Sequence, residues 1–420
     1  MALANDDRHF IAPKNIREMA RDLTPLMDIM GDEGIVVWGW DAAIKTQLLR
    51  MGIPTEQLPT DAALRALRKC SERQLAHSFL LAFHADHSDG PYTGESIIAR
   101  NLDDIVTYAT QHEHIILKDP LSSSGKGLRH VNTNEEGLTS YRNRTTALLN
   151  AEKSAVDATS APFAPPQRER TLESSEQSRG EMPSSSLNKV ANWSNALIAR
   201  HGYLTVEPYY DKVQDFAMEF YIRNGQCRFI GYSLFSTNHH GRYEGNLLME
   251  DENIEALLTQ HIPHSALHEV CDWVITHSDH IIPAEWDTAK HPLYFGIDMM
   301  VVCESQQSTD NRQQTEENSD FPIVNSQFKI HPCVEINLRL NMGIIAHEVH
   351  NKLLATGTEG SFHVTSFPTE EAAQLFYQEY TKRYSATYQE GKLVAGYHAL
   401  TPILPHTRHH AYVLAMSCER

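Results

Sequence analysis

The chain has 420 residues, with 36 Lys and Arg against 54 Asp and Glu, giving a formal net charge of −18 at pH 7. That balance argues against a nucleic-acid partner gripped through its phosphates, and 41% hydrophobic with 21% charged residues describes a globular protein long enough for two or three domains. No apolar run reaches the ~18 residues of a membrane helix, no basic segment followed by an apolar block opens the chain, and Cys70, Cys227, Cys271, Cys303, Cys333 and Cys418 form no Cys-x-x-Cys pair, so reduced thiols and a cytoplasmic location are expected.

Residues 34–40, Gly-Ile-Val-Val-Trp-Gly-Trp, are a short apolar run that predicts a buried strand, with Asp41 as N-cap of a helix through Leu49. Thr60 caps a second helix with Leu64, Leu67, Leu75 and Phe79 on one face. This alternation predicts a small α/β domain over residues 1–110. Trp38, Trp40 and Asp41, at the end of the expected strand, fit a substrate contact or plain aromatic packing with a helix cap.

Residues 115–117 predict a strand that ends at Lys118 and runs into Asp-Pro-Leu-Ser-Ser-Ser-Gly-Lys-Gly. In that turn Ser122, Ser123, Ser124, Gly125, Lys126 and Gly127 offer hydroxyls and backbone N–H groups to a phosphate, while Lys118 and Lys126 add positive charge. The Walker A pattern is absent. Residues 151–186 are rich in Ser, Ala, Pro, Glu and Arg and predict an extended polar insert. A helix follows with Val190, Trp193, Leu197 and Ile198 as its apolar face. Residues 202–208 then read as a strand stopped by Pro208, and 215–235 as a β-hairpin turning at Asn224-Gly225. The polar segment 237–246, with Arg242, suits a surface loop or a lid over phosphate equally.

Between residues 331 and 342, Val334, Ile336 and Leu338 alternate with Glu335, Asn337 and Arg339. A period of two sets a carboxylate, an amide and a guanidinium on one face of a strand. Such a face is costly to bury unless it meets a charged ligand or water. Its oxygens suit a hard cation such as Mg2+, and its guanidinium suits a phosphate. Asp298, flanked by apolar residues, is a second carboxylate expected on a central strand, with a polar insert at 303–326 between the two. Further on, His347, Glu348, His350 and Asn351 fall on an expected helix face, another helix starts at Thr369, and strands over 393–400 and 411–415 close the chain. His406, His409 and His410 are a weak metal candidate beside the reading as a solvated loop.

The order of these features resembles the ATP-grasp superfamily: Lys118 before a Ser/Gly loop, Val206-Glu207-Pro208-Tyr209 as a hinge, Gly296-Ile-Asp298 on one strand and Glu335-Ile-Asn337-Leu-Arg339 on the next, spanning about residues 115–342. The resemblance implies an α+β fold in which two subdomains clasp ATP, a small one over 111–225 and a large one over 226–420. It implies Lys118 on the α-phosphate or base edge, the 122–127 turn over the β- and γ-phosphates, Glu207 and Tyr209 at the adenine and Asp215 at the ribose. By the same likeness Asp298, Glu335 and Asn337 would hold one or two Mg2+ ions, and Arg339, helped by Arg242, would steady the transferring phosphate or oxyanion. Leu338-Arg339 departs from the common Pro-Arg, Gly296 stands where some ligases carry Arg, and Arg100 is the one candidate for a second ATP lysine's role. The implied activity is an ATP-dependent carboxylate–amine ligase working through an acyl phosphate; phosphotransfer, a thiol nucleophile, or a nucleotide-binding module without turnover are the alternatives. Expected partners are small-molecule carboxylates and amines, with a homo-oligomer allowed and neither nucleic acid nor membrane.

Overall fold

The computed structural model describes residues 7–31, 35–122, 127–133, 184–237, 243–304 and 327–416. The expected inserts at 151–186 and 303–326 lie almost wholly outside the described residues, as do Ser123, Ser124, Gly125, Lys126 and Arg242. The architecture is α+β, built from helices and antiparallel sheets. It divides into a smaller unit, Ser96–Pro120 with Leu128–Tyr209, and a larger one, Met1–Glu95 with Leu121–Gly127 and Tyr210–Arg420.

In the smaller unit, four antiparallel strands lie in the order Ile97–Ala99, Leu204–Pro208, His114–Lys118, Leu128–Asn132. Strand alternation sends Ile115, Leu117, Leu204 and Val206 into a core shared with the helices Leu102–Ala109 and Ser184–His201, and all four are fully buried. Asn101 starts the first helix, its side chain accepting the Asp104 N–H at 2.9 Å. The opposite face of the sheet carries His114, Ile116, Lys118, Thr205, Glu207 and His130, paired across the strands as Ile116 with Glu207 and Lys118 with Thr205.

The larger unit contains two sheets. One runs Phe328–Asn337, Leu293–Cys303, Lys212–Arg223, Gln226–Ser233, antiparallel throughout. The other has six strands, ordered Thr387–Gln389, Lys392–Ala399, His409–Met416, Glu359–Ser366, Tyr243–Leu248, Phe235–Thr237. The hairpin expected at Asn224-Gly225 forms, with φ of 52° and 71°, the two positive values that a type I′ turn needs. One face of the four-stranded sheet buries Phe216, Met218, Phe220, Phe295, Ile297, Met299 and Val301 against helices that supply Leu67, Phe79, Phe83 and Trp273. Each such side chain contributes roughly 1.5–3 kcal/mol through burial. The other face carries the polar residues Asp215, Glu219 and Asp298.

Several expectations hold locally. Asp41 caps Ala42–Arg50 by accepting the Ile44 N–H at 2.8 Å, and Thr60 caps Asp61–Cys70 by accepting that of Ala63 at 3.1 Å. The expected strand at 34–40 does not form: residues 35–40 pair with no strand, and Trp40 is instead buried with its ring 6.2 Å from Trp286 and 5.9 Å from His291. An apolar run is satisfied by burial alone, and periodicity cannot supply the neighbouring edge that a strand requires. The single helix expected to carry Leu64 through Phe79 is two helices, Asp61–Cys70 and Gln74–Asp86. His409 and His410 are consecutive on a strand and point to opposite faces, so they do not converge on an ion; His410 is buried against Thr401 and Tyr397, while His409 bonds Ser366.

Candidate functional site

The other face of the four-stranded sheet in the larger unit gathers the acidic residues. Antiparallel register sets Glu335 opposite Asp298, and Asn337 opposite Gly296. On the next strand, Ala217 is opposite Asp298, Glu219 opposite Gly296 and Asp215 opposite Met300. Directly paired residues point to the same side of a sheet, so Asp215, Glu219, Asp298 and Glu335 share one face with Asn337. The polar alternation expected from Glu335 to Arg339 forms as strand only through Asn337, with Arg339 in a bend just past the strand end, and Asp298 stands beside it.

A chain of hydrogen bonds orders these groups. Asn337 Nδ2 donates to Asp298 Oδ2 at 3.2 Å, and Asn337 Oδ1 accepts from Arg339 Nη2 at 2.8 Å. Arg339 Nη1 donates to the Leu340 carbonyl at 3.0 Å, which fixes the guanidinium plane. Glu335 Oε2 accepts from Arg73 Nη2 at 3.0 Å, and Asp215 is paired with Lys212. Beneath them Glu219, 1% exposed, accepts from Asn341 Nδ2 at 2.7 Å. Asn341 in turn caps the helix Met342–Leu353, its Oδ1 accepting the Ile344 N–H at 2.9 Å.

The electrostatics follow from that inventory. Burial pushes the Glu219 carboxyl up to about 8; the Asn341 bond opposes this, Asp298 adds to it and Arg339 opposes it. Burial likewise raises Asp298 well above the usual carboxylate range, with Glu335 and Asp215 adding to the shift and Arg339 and Asn337 opposing it. Two carboxyls held in this state form a site whose charge a divalent cation would balance. The donors are oxygens, two carboxylates and an amide carbonyl on paired strands, which is the set that suits Mg2+. Asp298, Glu335 and Asn337 thus fit the ion.

Two glycines shape the floor. A Cβ on Gly296 would lie 2.2 Å from Glu219 Oε2 and 2.3 Å from Asn341 Nδ2, and one on Gly343 would lie 2.1 Å from Glu219 Oε1. Both are required for Glu219 to reach its place. A Cβ on Gly39 would sit 3.4 Å from Arg339 Cβ, so the segment of Trp38 and Trp40 borders Arg339 even though it is not a strand; Trp38 itself is 37% exposed.

The smaller unit holds a separate set. Lys118 and Glu207 form a buried ion pair on the face of its sheet opposite the Ile115 and Leu117 core. Tyr209 stacks on His114, with centroids 4.5 Å apart and planes at 11°, and His130 lies 5.5 Å from His114. Burial lowers the pKa of both histidines, helped by His130 at His114 and by Lys118 at His130, so both rings are neutral at neutral pH. Ser122 and Gly127, which fall in the larger unit, are the described ends of the Ser/Gly turn. Arg100 is an exposed residue whose backbone N–H is bonded to Asp104.

Reading the residues in sequence missed Glu219, Arg73 and Asn341. Glu219 carried a usable signal, since a carboxylate between Met218 and Phe220 in a hairpin strand invites the reasoning applied to Asp298. Arg73 carried none: it reaches Glu335 from 262 residues away, out of a connection between helices.

No family model and no curated protein matches the chain. Solved structures do. N5-carboxyaminoimidazole synthetase from Staphylococcus aureus complexed with ADP is 11% identical, with a TM-score of 0.39 over 83% of this chain and 68% of that one. N5-carboxyaminoimidazole ribonucleotide synthetase from Thermus thermophilus is 11% identical, with a TM-score of 0.39 over 89% and 74%. Biotin carboxylase from Campylobacter jejuni is 8% identical, with a TM-score of 0.41 over 83% and 64%. Likeness at this distance carries no functional weight, so function rests on the side chains. Among the described residues, no helix is long and apolar enough to cross a membrane.

Proposed function

We propose that this chain is an ATP-dependent ligase of the ATP-grasp kind, joining a carboxylate to an amine through an acyl phosphate and releasing ADP and phosphate. The observation that carries the reading is the pairing of Glu335 with Asp298 beside Asn337 on one sheet face, with the guanidinium of Arg339 bonded to Asn337 from just past the strand end and burial raising the Asp298 carboxyl. Phosphoryl transfer needs charge neutralisation and in-line placement rather than a nucleophile from the protein, and this face offers the former.

In this reading Asp298, Glu335 and Asn337 hold Mg2+, which when bound neutralises and polarises the triphosphate. Arg339 directs its guanidinium at charge that develops on the phosphate or the acyl oxygen. Arg73 orients Glu335, and Glu219 with Asn341 supports the face from below. On the smaller unit, Lys118 is assigned to the nucleotide's α-phosphate or base edge and Glu207 and Tyr209 to the adenine; on the larger unit, Asp215 is assigned to the ribose. Ser122, Ser123, Ser124, Gly125, Lys126 and Gly127 are assigned to the β- and γ-phosphates, and Arg242 to the transferring phosphate or oxyanion. The fold does not fix the two substrates, so the chemical class is the extent of the proposal.

The test is nucleotide turnover with Mg2+ and ATP across panels of carboxylic acids and amines. ADP, not AMP, should appear only when both a cognate acid and amine are present. Glu335→Gln should reduce that turnover by about a hundredfold or more. Full turnover in the variant sinks the metal assignment, and release of AMP sinks the acyl phosphate.

A further inference from the structure

A second group of side chains in the larger unit has the chemistry of a metal site and no part in the proposed reaction. His264 and His268 stand one turn apart on the helix His264–Thr276, so their rings share a face. Glu255 reaches them from the preceding helix, Asp251–Leu258. The donor atoms converge: His268 Nε2 lies 2.9 Å from Glu255 Oε1, His264 Nε2 lies 3.2 Å from the same oxygen, and the two Nε2 atoms are 3.3 Å apart. All three fall within one small sphere.

We propose that Glu255, His264 and His268 bind a divalent transition-metal ion, for which Zn2+ is the probe. The distances carry the inference. Ligands held about 2.0–2.1 Å from a tetrahedral zinc are separated by about 3.3 Å, and the three edges of this triangle are already close to that length. An ion therefore settles over the triangle with little side-chain movement. Two imidazole nitrogens and one carboxylate oxygen favour a borderline first-row cation over Mg2+, which prefers oxygen donors alone. Glu255 is the anchored member: its carboxylate is mostly covered and receives the Tyr232 hydroxyl at 3.5 Å, whereas the side chains of His264 and His268 are 64% and 53% exposed. The fourth position opens to solvent, so the bound ion keeps a water. Binding also adds a second tie between two helices that follow one another through the 259–263 connection. The inference is independent of the ligase reading, since none of the three residues belongs to the Asp298 face.

The test uses the full, metal-stripped chain with Mg2+ in millimolar excess, titrated with Zn2+ against a chromophoric chelator. Wild type should bind one Zn2+ that the double variant His264→Ala/His268→Ala does not bind, and each single variant, like Glu255→Gln, should weaken that ion by about tenfold or more. Zn2+ should raise the unfolding midpoint of the wild type and not that of the double variant. Both histidines are exposed, so circular dichroism should show the variants folded. Equal Zn2+ affinity in wild type and double variant would assign the ion to thiols or other histidines and overturn the proposal, as would no saturable binding in the wild type.

Discussion

Glu219 is a carboxyl with almost no access to water, its Oε2 accepting a hydrogen bond from the neutral amide of Asn341. Its proton is retained to about pH 8 in the folded chain, against 4.5 when unfolded. Because the folded pKa is the higher one, the folded state binds more protons in that interval, and the metal-free protein loses stability as pH rises from about 4.5 to about 8. The group's share of that loss is of order 5 kcal/mol at most. Denaturant unfolding of wild type and Glu219→Gln between pH 5 and 8 reads it: the wild-type curve should fall with pH and the variant's should be flatter. Asp298, raised in the same way, predicts the companion effect that Mg2+ binds more tightly as pH rises, because the ion displaces its proton. A Mg2+ affinity that is flat with pH would contradict the protonated state of this face.

Strand register converts these single residues into a surface, and it does so at a close fit. Replacing Gly296 with Ala would press a methyl group onto Glu219 Oε2 and Asn341 Nδ2, both within 2.3 Å. Either the Glu219 carboxylate moves or the strands part. The expected result is a loss of about 1–3 kcal/mol of stability together with weaker Mg2+ binding, measured by thermal unfolding with and without the ion; Gly357→Ala, at an open turn, should leave the ion's effect unchanged. At this scale most elements were legible in the sequence. Period-two alternation gave the Glu335 strand and the hairpin, Asn224-Gly225 gave its turn, and Asp41, Thr60 and Thr369 gave helix starts. What failed was 34–40, where burial of Trp40 among Trp286 and His291 comes from residues almost 250 positions away. Glu335 and Asn337 were legible as one polar face because their period-two spacing is local, whereas Arg73 and Asn341 reach that face through tertiary packing and helix capping. Positions 219, 296 and 343 are bound by the same fit, so a bulkier residue at either glycine demands a shorter one at 219, and in related chains the three should vary together.

Each of the two units has its own buried cluster, with Ile115, Leu117, Leu204 and Val206 in one and the Phe216–Phe295 group in the other. Leu204→Ala should therefore cost about 2–5 kcal/mol where it is made. Native-state hydrogen exchange should show faster opening of amides in His114–Lys118 and Leu204–Pro208, with the protection of Lys212–Arg223 and Leu293–Cys303 retained. Equal loss in both would mean that the clusters unfold as one. The larger unit is also split along the chain, because Leu64, Leu67, Phe79 and Phe83 pack on strands that begin only at Lys212. On a ribosome these helices emerge before their sheet exists. At ~5–20 residues per second they wait on the order of ten seconds with their apolar faces uncovered, while the whole smaller unit is made. Newly made chain is thus most exposed to aggregation and most in need of a holding chaperone during that interval, well before the acidic face it will support has been synthesised.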